Sequence, residues 1–169
     1  MRSTHAAPAP AFRAAIGSLP TGVSIVSAGS GAQRWATTIG TLTSLSLEPP
    51  LVLFCLRLGS PMLRHLTAPS MITAPAMISG PFAISVLGAD QHHLADLFAG
   101  PRTERSLEAL TAEVDGVPVV AGASAWITCT PHRRHDEGDH AIVIGAVRHT
   151  EVGTAPPLVR HTGRYRTLL

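Results

Sequence analysis

The sequence predicts a mainly β chain, an antiparallel barrel carrying a few short helices. Three observations lead there. Apolar or alternating runs of strand length recur along the chain, about seven of them between Val23 and Val147. Turn residues rather than crossover helices join most of these runs, as antiparallel pairing allows and a doubly wound parallel sheet does not. Helical periodicity occurs only in short pieces.

Each element can be justified in order. Phe12, Ala15, Ile16 and Leu19 have the i, i+3, i+4, i+7 spacing of an amphipathic helix, which Pro20 ends. Thr21-Gly22 turns the chain into a first strand from Val23 to Ser27, and SAGSGAQ is a turn. In WATTIGTLTSLSLEPP, Thr and Ser alternate with apolar residues, the pattern of a strand with one wet face, until Glu48-Pro49-Pro50 breaks it. Leu51 to Leu56 is continuously apolar and predicts a strand buried on both faces. Residues 59–81 are rich in Pro, Ser and Met; Met62, Leu63 and Leu66 have helical spacing, and the rest of 61–80 reads as a long loop. Phe82 to Leu87 is a strand, Gln91 to Ala99 a helix with Leu94, Leu97 and Phe98 on one face, and Leu107 with Leu110 suggests another short helix. Val117 to Val120, Ala125 to Cys129 and Ala141 to Val147 are the remaining strands.

The chain has 169 residues, 45% hydrophobic and only 14% charged. That length fits one domain with its own core: residues 1–11 read as a disordered N-terminal arm and 12–169 as the domain. No apolar run approaches the roughly 20 residues that cross a bilayer. The apolar excess therefore predicts a homodimer with a large apolar interface, and no membrane partner. The net charge of +2 comes from scattered basic residues, without the clustered cations of a nucleic-acid groove. Cys55 and Cys129 sit in strand-like runs and are expected to be reduced and buried. The N-terminal MRSTHAAPAPA lacks the apolar stretch of a signal peptide, so the expected compartment is the cytoplasm.

Two stretches invite chemistry. HDEGDH, residues 135–140, runs directly into AIVIGAV. His132, His135 and His140 match no standard metal spacing, and no HExxH or CxxC supports a metal. The local alternative is a solvated hairpin tip in which Gly138 supplies a positive φ. A Cys–His nucleophile is disfavoured by the expected burial of both thiols, and GxSxG, P-loop and GxGxxG signatures are absent. The second stretch, TTIGTLTSLSLEPP, carries Thr37, Thr38, Thr41, Thr43, Ser44 and Ser46. These hydroxyls are either edge-strand decoration or partners for a polar heterocycle or phosphate.

Five blocks in order resemble the flavin reductase domain family, the short-chain NAD(P)H:flavin oxidoreductases that supply two-component monooxygenases. They are FRAAIGSLPTGVSIVSA, TSLSLEPPLVLFCL, FAISVLGADQHHLADLFA, GVPVVAGASAWITCTPHRRHDEGDHAIVIGAV and PLVRHTGRY, which span Phe12 to Tyr165. The resemblance implies a split β-barrel of Greek-key-like antiparallel type that dimerises and binds FMN or FAD at the dimer cleft. NADH or NADPH would be the hydride donor, and a flavin-dependent monooxygenase would receive reduced flavin by diffusion.

By that resemblance, Thr38 to Ser46, with Leu53, Phe54 and Cys55, would lie along the isoalloxazine and ribityl chain. Ser60 would meet the phosphate. Ser85 and Val86 would line the same cleft, and Arg164 and Tyr165 would approach from the tail. His140 would sit by the nicotinamide, with Asp139 fixing the turn or orienting it. Departures are visible. The family's Asn- and Ser/Thr-rich turn is Arg57-Leu58-Gly59-Ser60-Pro61 here, where Arg57 offers the phosphate charge instead. The family's Asn in the FAVNVL-like strand is Ser85, and the 61–80 segment is long. A flavin carrier, or another flavin-dependent catalyst on this barrel, stays open as an alternative.

Overall fold

The computed structural model describes residues 7–67 and 80–168. Helix α1 (Ala9–Gly17) leads to the short strand β1 (Thr21–Gly22), then β2 (Ser24–Ala28), β3 (Trp35–Ile39), β4 (Thr43–Leu47) and β5 (Pro50–Arg57). After α2 (Pro61–Leu66) come β6 (Phe82–Val86), α3 (His92–Ala99), α4 (Glu104–Glu108), β7 (Ala112–Val114) and β8 (Val117–Val119). Two long strands follow, β9 (Ala125–Glu137) and β10 (His140–Val152), and β11 (Leu158–His161) and β12 (Arg164–Thr167) finish the chain. Every strand pairing is antiparallel. The chain is mainly β with short helices, as the sequence predicts.

The largest sheet runs β3-β2-β6-β9-β10-β5-β4. Strands β3 and β4 are its two edges, yet only residues 40–42 join them. From Ile39 to Thr43 the chain reaches at most about 14 Å. The edges of a flat seven-stranded sheet would stand about 29 Å apart. The sheet therefore curls until its edges meet at a seam, where Cys55 N–H donates to Thr41 Oγ1 at 2.9 Å. This corrects the single strand expected over WATTIGTLTSLSLEPP. The chain leaves one edge at Ile39, crosses the seam at Gly40, and starts the other edge at Thr43.

Inside the curl lie Val26, Phe54, Leu56, Met62, Leu63, Phe82, Ile84 and Val143. Phe54 packs edge-on against Phe82, centroids 5.6 Å apart. Strand β5 is not buried on both faces as predicted. Val52, Phe54 and Leu56 point inward, while Leu51, Leu53 and Cys55 are half-buried on the outside. Period-two alternation gives the reason: the outer face of the sheet is not covered within one chain. Directly across on β10 stand Ala146, Ile144 and Ile142, also half-buried. Cross-strand partners share a face, so the six form one outer apolar stripe.

A second core, with Val23, Ile25, Leu87, Ala95, Phe98, Leu110 and Leu158, holds α3 against the strands. Met62, Leu63 and Leu66 are all buried on α2, as their spacing predicts. Residues 68–79 of the long segment lie outside the described residues, as do 1–6 of the expected arm. Helix α1 begins at Ala9, within that arm, and buries none of its side chains. No helix among the described residues is long and apolar enough to cross a membrane.

Candidate functional site

The β9–β10 hairpin turns at Gly138-Asp139, between Glu137 and His140. Gly138 takes φ 58° at the first turn position, where the twist-matched two-residue hairpin favours glycine. His135, Asp136 and Glu137 are exposed on the arm, and Asp136 receives a bidentate bond from Arg134 at 2.6 and 2.8 Å. Asp139 O accepts from Leu58 N–H at 3.0 Å, which fastens the hairpin turn to the one after β5. In the same register His140 faces Arg57.

Arg57, Leu58, Gly59, Ser60, Pro61 and Asp139 line an open cavity of about 650 Å³, with His140 beside it. Ser60 N–H donates to Arg57 O at 2.9 Å, and Ser60 Oγ caps α2 by accepting from Leu63 N–H at 3.1 Å. The Arg57 guanidinium also lines this cavity, where its charge acts on the Asp139 carboxylate.

The Asp139 carboxylate lies 2.7 Å from His140 Nδ1. That hydrogen bond, and then the charge of the His140 ring, holds the Asp139 carboxyl below its ordinary value. An ionised carboxylate only accepts, so Nδ1 carries the proton and Nε2 is left to face a ligand. Asp139 is in this sense the residue that orients His140.

A second, smaller opening of about 120 Å³ lies on the other side of the seam. Thr21, Val23, Thr38, Ile39, Gly40, Ala99, Arg160 and Tyr165 line it. Tyr165 O–H donates to Asp96 on α3 at 2.7 Å. Burial first, then the bond to Asp96, pushes the Tyr165 phenol above its ordinary value, with Arg160 opposing. Thr38 Oγ1 donates to Ala95 O at 2.7 Å and Thr37 Oγ1 to Phe98 O at 3.4 Å, so both hydroxyls also fasten β3 to α3.

The structure therefore brings together Arg57, Ser60, Asp139 and His140 in one group and Thr38 and Tyr165 in another, with Thr41 on the seam between them. Other expected site residues lie elsewhere. Phe54 is fully buried in the interior, so its side chain touches core and not ligand, a correction that follows from the alternation along β5. Ser85 is corrected likewise: it is fully buried, and its Oγ accepts from Val120 N–H at 3.1 Å. Leu53 and Cys55 lie on the outer stripe. Thr43 and Ser44 are exposed on edge strand β4, and Ser46 Oγ accepts from Glu48 N–H at 3.2 Å. Val86 gives its carbonyl to Ser124 N–H at 2.8 Å, and Arg164 is exposed on β12; neither lines these two openings. Sequence reasoning missed Arg160 and Asp96. Both lie in blocks quoted above, but only the fold places them beside Tyr165.

The chain is similar to proteins already known. A family model described as flavin reductase like domain matches residues 16–169. The NADH-dependent FMN reductase AsuE2 of Streptomyces nodosus subsp. asukaensis is 35% identical over 164 residues, covering 93% of this chain and 83% of that protein. An NADH-dependent FAD reductase of Streptomyces globisporus is 37% identical over 142 residues, covering 80% of this chain and 72% of that protein. Among solved structures, BorF, the flavin reductase component of a bacterial two-component tryptophan halogenase, superposes with a TM-score of 0.80 at 33% identity, over 95% of this chain and 98% of that one.

Proposed function

Because the chain belongs to the flavin reductase like domain family, we propose that it is an NADH:flavin oxidoreductase, passing hydride from NADH to FMN or FAD. The reduced flavin then leaves for a separate monooxygenase. The observation that carries this reading is the Asp139–His140 pair at the lip of the Arg57–Ser60 cavity. Hydride transfer is chemistry that the two substrates bring with them, which is why the site needs no protein nucleophile. The chain's own work is to bind, orient and exclude. Arg57 and the Ser60 turn offer charge and hydroxyl to a phosphate. Nε2 of His140, oriented by Asp139, faces the carboxamide of the nicotinamide, which can both donate and accept. Thr38 and Thr41 border the seam where a planar ring would lie.

The protein acts as a homodimer in this reading. Leu51, Leu53, Cys55, Ile142, Ile144 and Ala146 make an outer apolar stripe, and Leu45 and Leu47 on the neighbouring edge strand are 46% and 89% exposed. A second copy would cover them and complete the cleft. The free Cys55 and Cys129 suit the reducing cytoplasm in which we place it.

Purified protein mixed with NADH should consume it only when FMN or FAD is added, followed by loss of dihydronicotinamide absorbance. A protein that binds flavin tightly yet leaves NADH untouched would be a carrier, and the proposal would fail. Light scattering tests the dimer, and a monomer at micromolar concentration rejects it.

A further inference from the structure

A third opening lies at the Trp35 end of β3, away from the seam. The β2–β3 turn, the last turn of α2, Gly80-Pro81 and the start of β8 surround it. Strand β3 begins here and reaches the seam only after Ile39, about 13 Å further along the strand. The opening measures about 330 Å³, room for one small ring system. It shares no lining residue with the hairpin cavity or with the Thr38–Tyr165 opening.

Its lining is polar but uncharged. Ser30, Gln33 and His65 line it, and Pro81 and the buried Val117 add apolar surface. Among the described residues no acid, lysine or arginine lines it. The hydrogen bonds around the turn run from Gln33 N–H to Ser30 O, from Arg34 Nε to Gly31 O and from Arg102 to Ala32 O, and none uses the side chain of Ser30, Gln33 or His65. His65 is fixed by packing instead. Its ring stacks on Trp35, centroids 6.1 Å apart and planes 25° from parallel, and the Arg102 guanidinium carbon stands 5.1 Å from the centre of the same Trp ring. A Cβ at Gly29 would stand 2.9 Å from His65 Nε2, so the glycine, at φ 82°, lets the imidazole lie against the turn. Burial, and then the Arg102 charge, holds His65 below its ordinary value. At neutral pH one ring nitrogen therefore donates and the other accepts.

A charged ligand would find no counter-charge in this cleft. A side-chain amide such as Gln33 matches a second amide edge to edge, donor to acceptor and acceptor to donor. The complementary ligand is a small uncharged ring that carries N–H beside C=O. We propose that the cleft is a second small-molecule site, which takes a neutral cyclic amide, with Gln33 on the N–H and C=O edge, His65 donating to the same carbonyl, and Pro81 and Val117 against the ring.

The probe is 2-pyridone, titrated calorimetrically into the full chain. The wild type should bind one molecule per chain, with FMN and NADH each unable to displace it. N-methyl-2-pyridone keeps the ring and carbonyl but lacks the N–H, and should bind about tenfold more weakly. Gln33→Leu and His65→Ala should each weaken 2-pyridone about tenfold while flavin-dependent NADH oxidation stays at the wild-type rate. Gln33 is exposed on a turn, so its variant keeps the test decisive even if His65→Ala loses the fold along with the Trp35 stack. Four results overturn the proposal: no saturable binding of 2-pyridone, equal binding of the N-methyl compound, binding untouched by Gln33→Leu, or displacement by FMN or NADH. The last would place the probe in the hairpin cavity or at the seam.

Discussion

Thr41 Oγ1 accepts the backbone N–H of Cys55 at 2.9 Å, so a side chain closes the seam where no strand pairs. Residues 40–42 leave the β5 edge without a ladder partner there, and the hydroxyl takes its place. Thr41→Val keeps the shape and removes the acceptor. We expect it to cost about 1 kcal/mol, since water reaches the freed N–H, and to weaken flavin binding because the adjoining Gly40 lines the Thr38–Tyr165 opening. Denaturant unfolding and a flavin titration check the two effects. Unchanged stability with unchanged flavin affinity would remove the seam from the site.

The Asp139–His140 pair predicts a split between substrates. His140→Ala should raise KM for NADH about tenfold while flavin affinity changes far less. Asp139→Asn, which still offers an oxygen to Nδ1, should have a smaller effect. The pH behaviour follows from the depressed carboxyl. The bond exists above the ordinary carboxylate value of 3.8 and is lost only as pH falls through the lower folded-state value. A KM profile for NADH should therefore show no Asp139 limb above 3.8. Equal losses of NADH and flavin affinity in His140→Ala would contradict the assigned role.

Much of this was legible in the sequence, and the rest was hidden for definable reasons. Gly138 announces a turn by its conformational freedom, so the hairpin needed only local chemistry, whereas the choice of His140 came from the family resemblance. Orientation within strands was harder. Strand β6 has four of its five residues buried on alternating sides, so its pattern gives no parity by which Ser85 could be assigned to a face. Phe54 was grouped with its neighbours Leu53 and Cys55 although a strand sends it the opposite way. Thr37 and Thr38 read as ligand hydroxyls, but their bonds go to helix carbonyls 61 and 57 residues away, which no local pattern encodes. The break at Gly40 was missed because an alternating run continues on both sides of it, and only sheet closure divides it.

Close packing inside the curl gives a sharper stability test. Gly145 sits at a register shift in β10, and a Cβ there would meet Phe82 Cζ at 2.5 Å and Cys129 Cβ at 2.9 Å. Both neighbours are fully buried and cannot move away cheaply. Gly145→Ala should destabilise the fold by about 3 kcal/mol, seen as a lower unfolding midpoint at an unchanged denaturant slope. A stability within error of wild type would mean that the Phe82 ring relocates freely.

The two thiols should differ in reactivity. Cys129 is fully buried beside Gly145, and burial pushes its thiol up to about 12. Because the thiolate is the reactive form, Cys129 should resist alkylation near neutral pH until the protein unfolds. Cys55, half-buried on the outer stripe, should react in the single chain and become shielded as the dimer forms. Mass spectrometry after iodoacetamide treatment at rising protein concentration separates these cases. Labelling of Cys129 in folded protein would place it outside the core.

Tyr165 is the chain's single tyrosine, so its ionisation can be read directly from tyrosinate absorbance. Burial and the hydrogen bond to the Asp96 carboxylate favour the neutral phenol, and it should titrate above its ordinary 10.0. Asp96→Asn removes the charge that resists ionisation and should bring the titration down. Arg160→Gln removes the cation that favours ionisation and should send it up. The linkage sign is that of a raised folded-state value. The contribution to stability is complete below the unfolded value and is lost as pH rises through the folded one. Wild-type protein should therefore lose some stability in that alkaline window, and Asp96→Asn should lose less. If the two substitutions move the phenol in the same direction, Arg160 and Asp96 do not flank the ring from opposing sides of the balance, and the ring is not held as described.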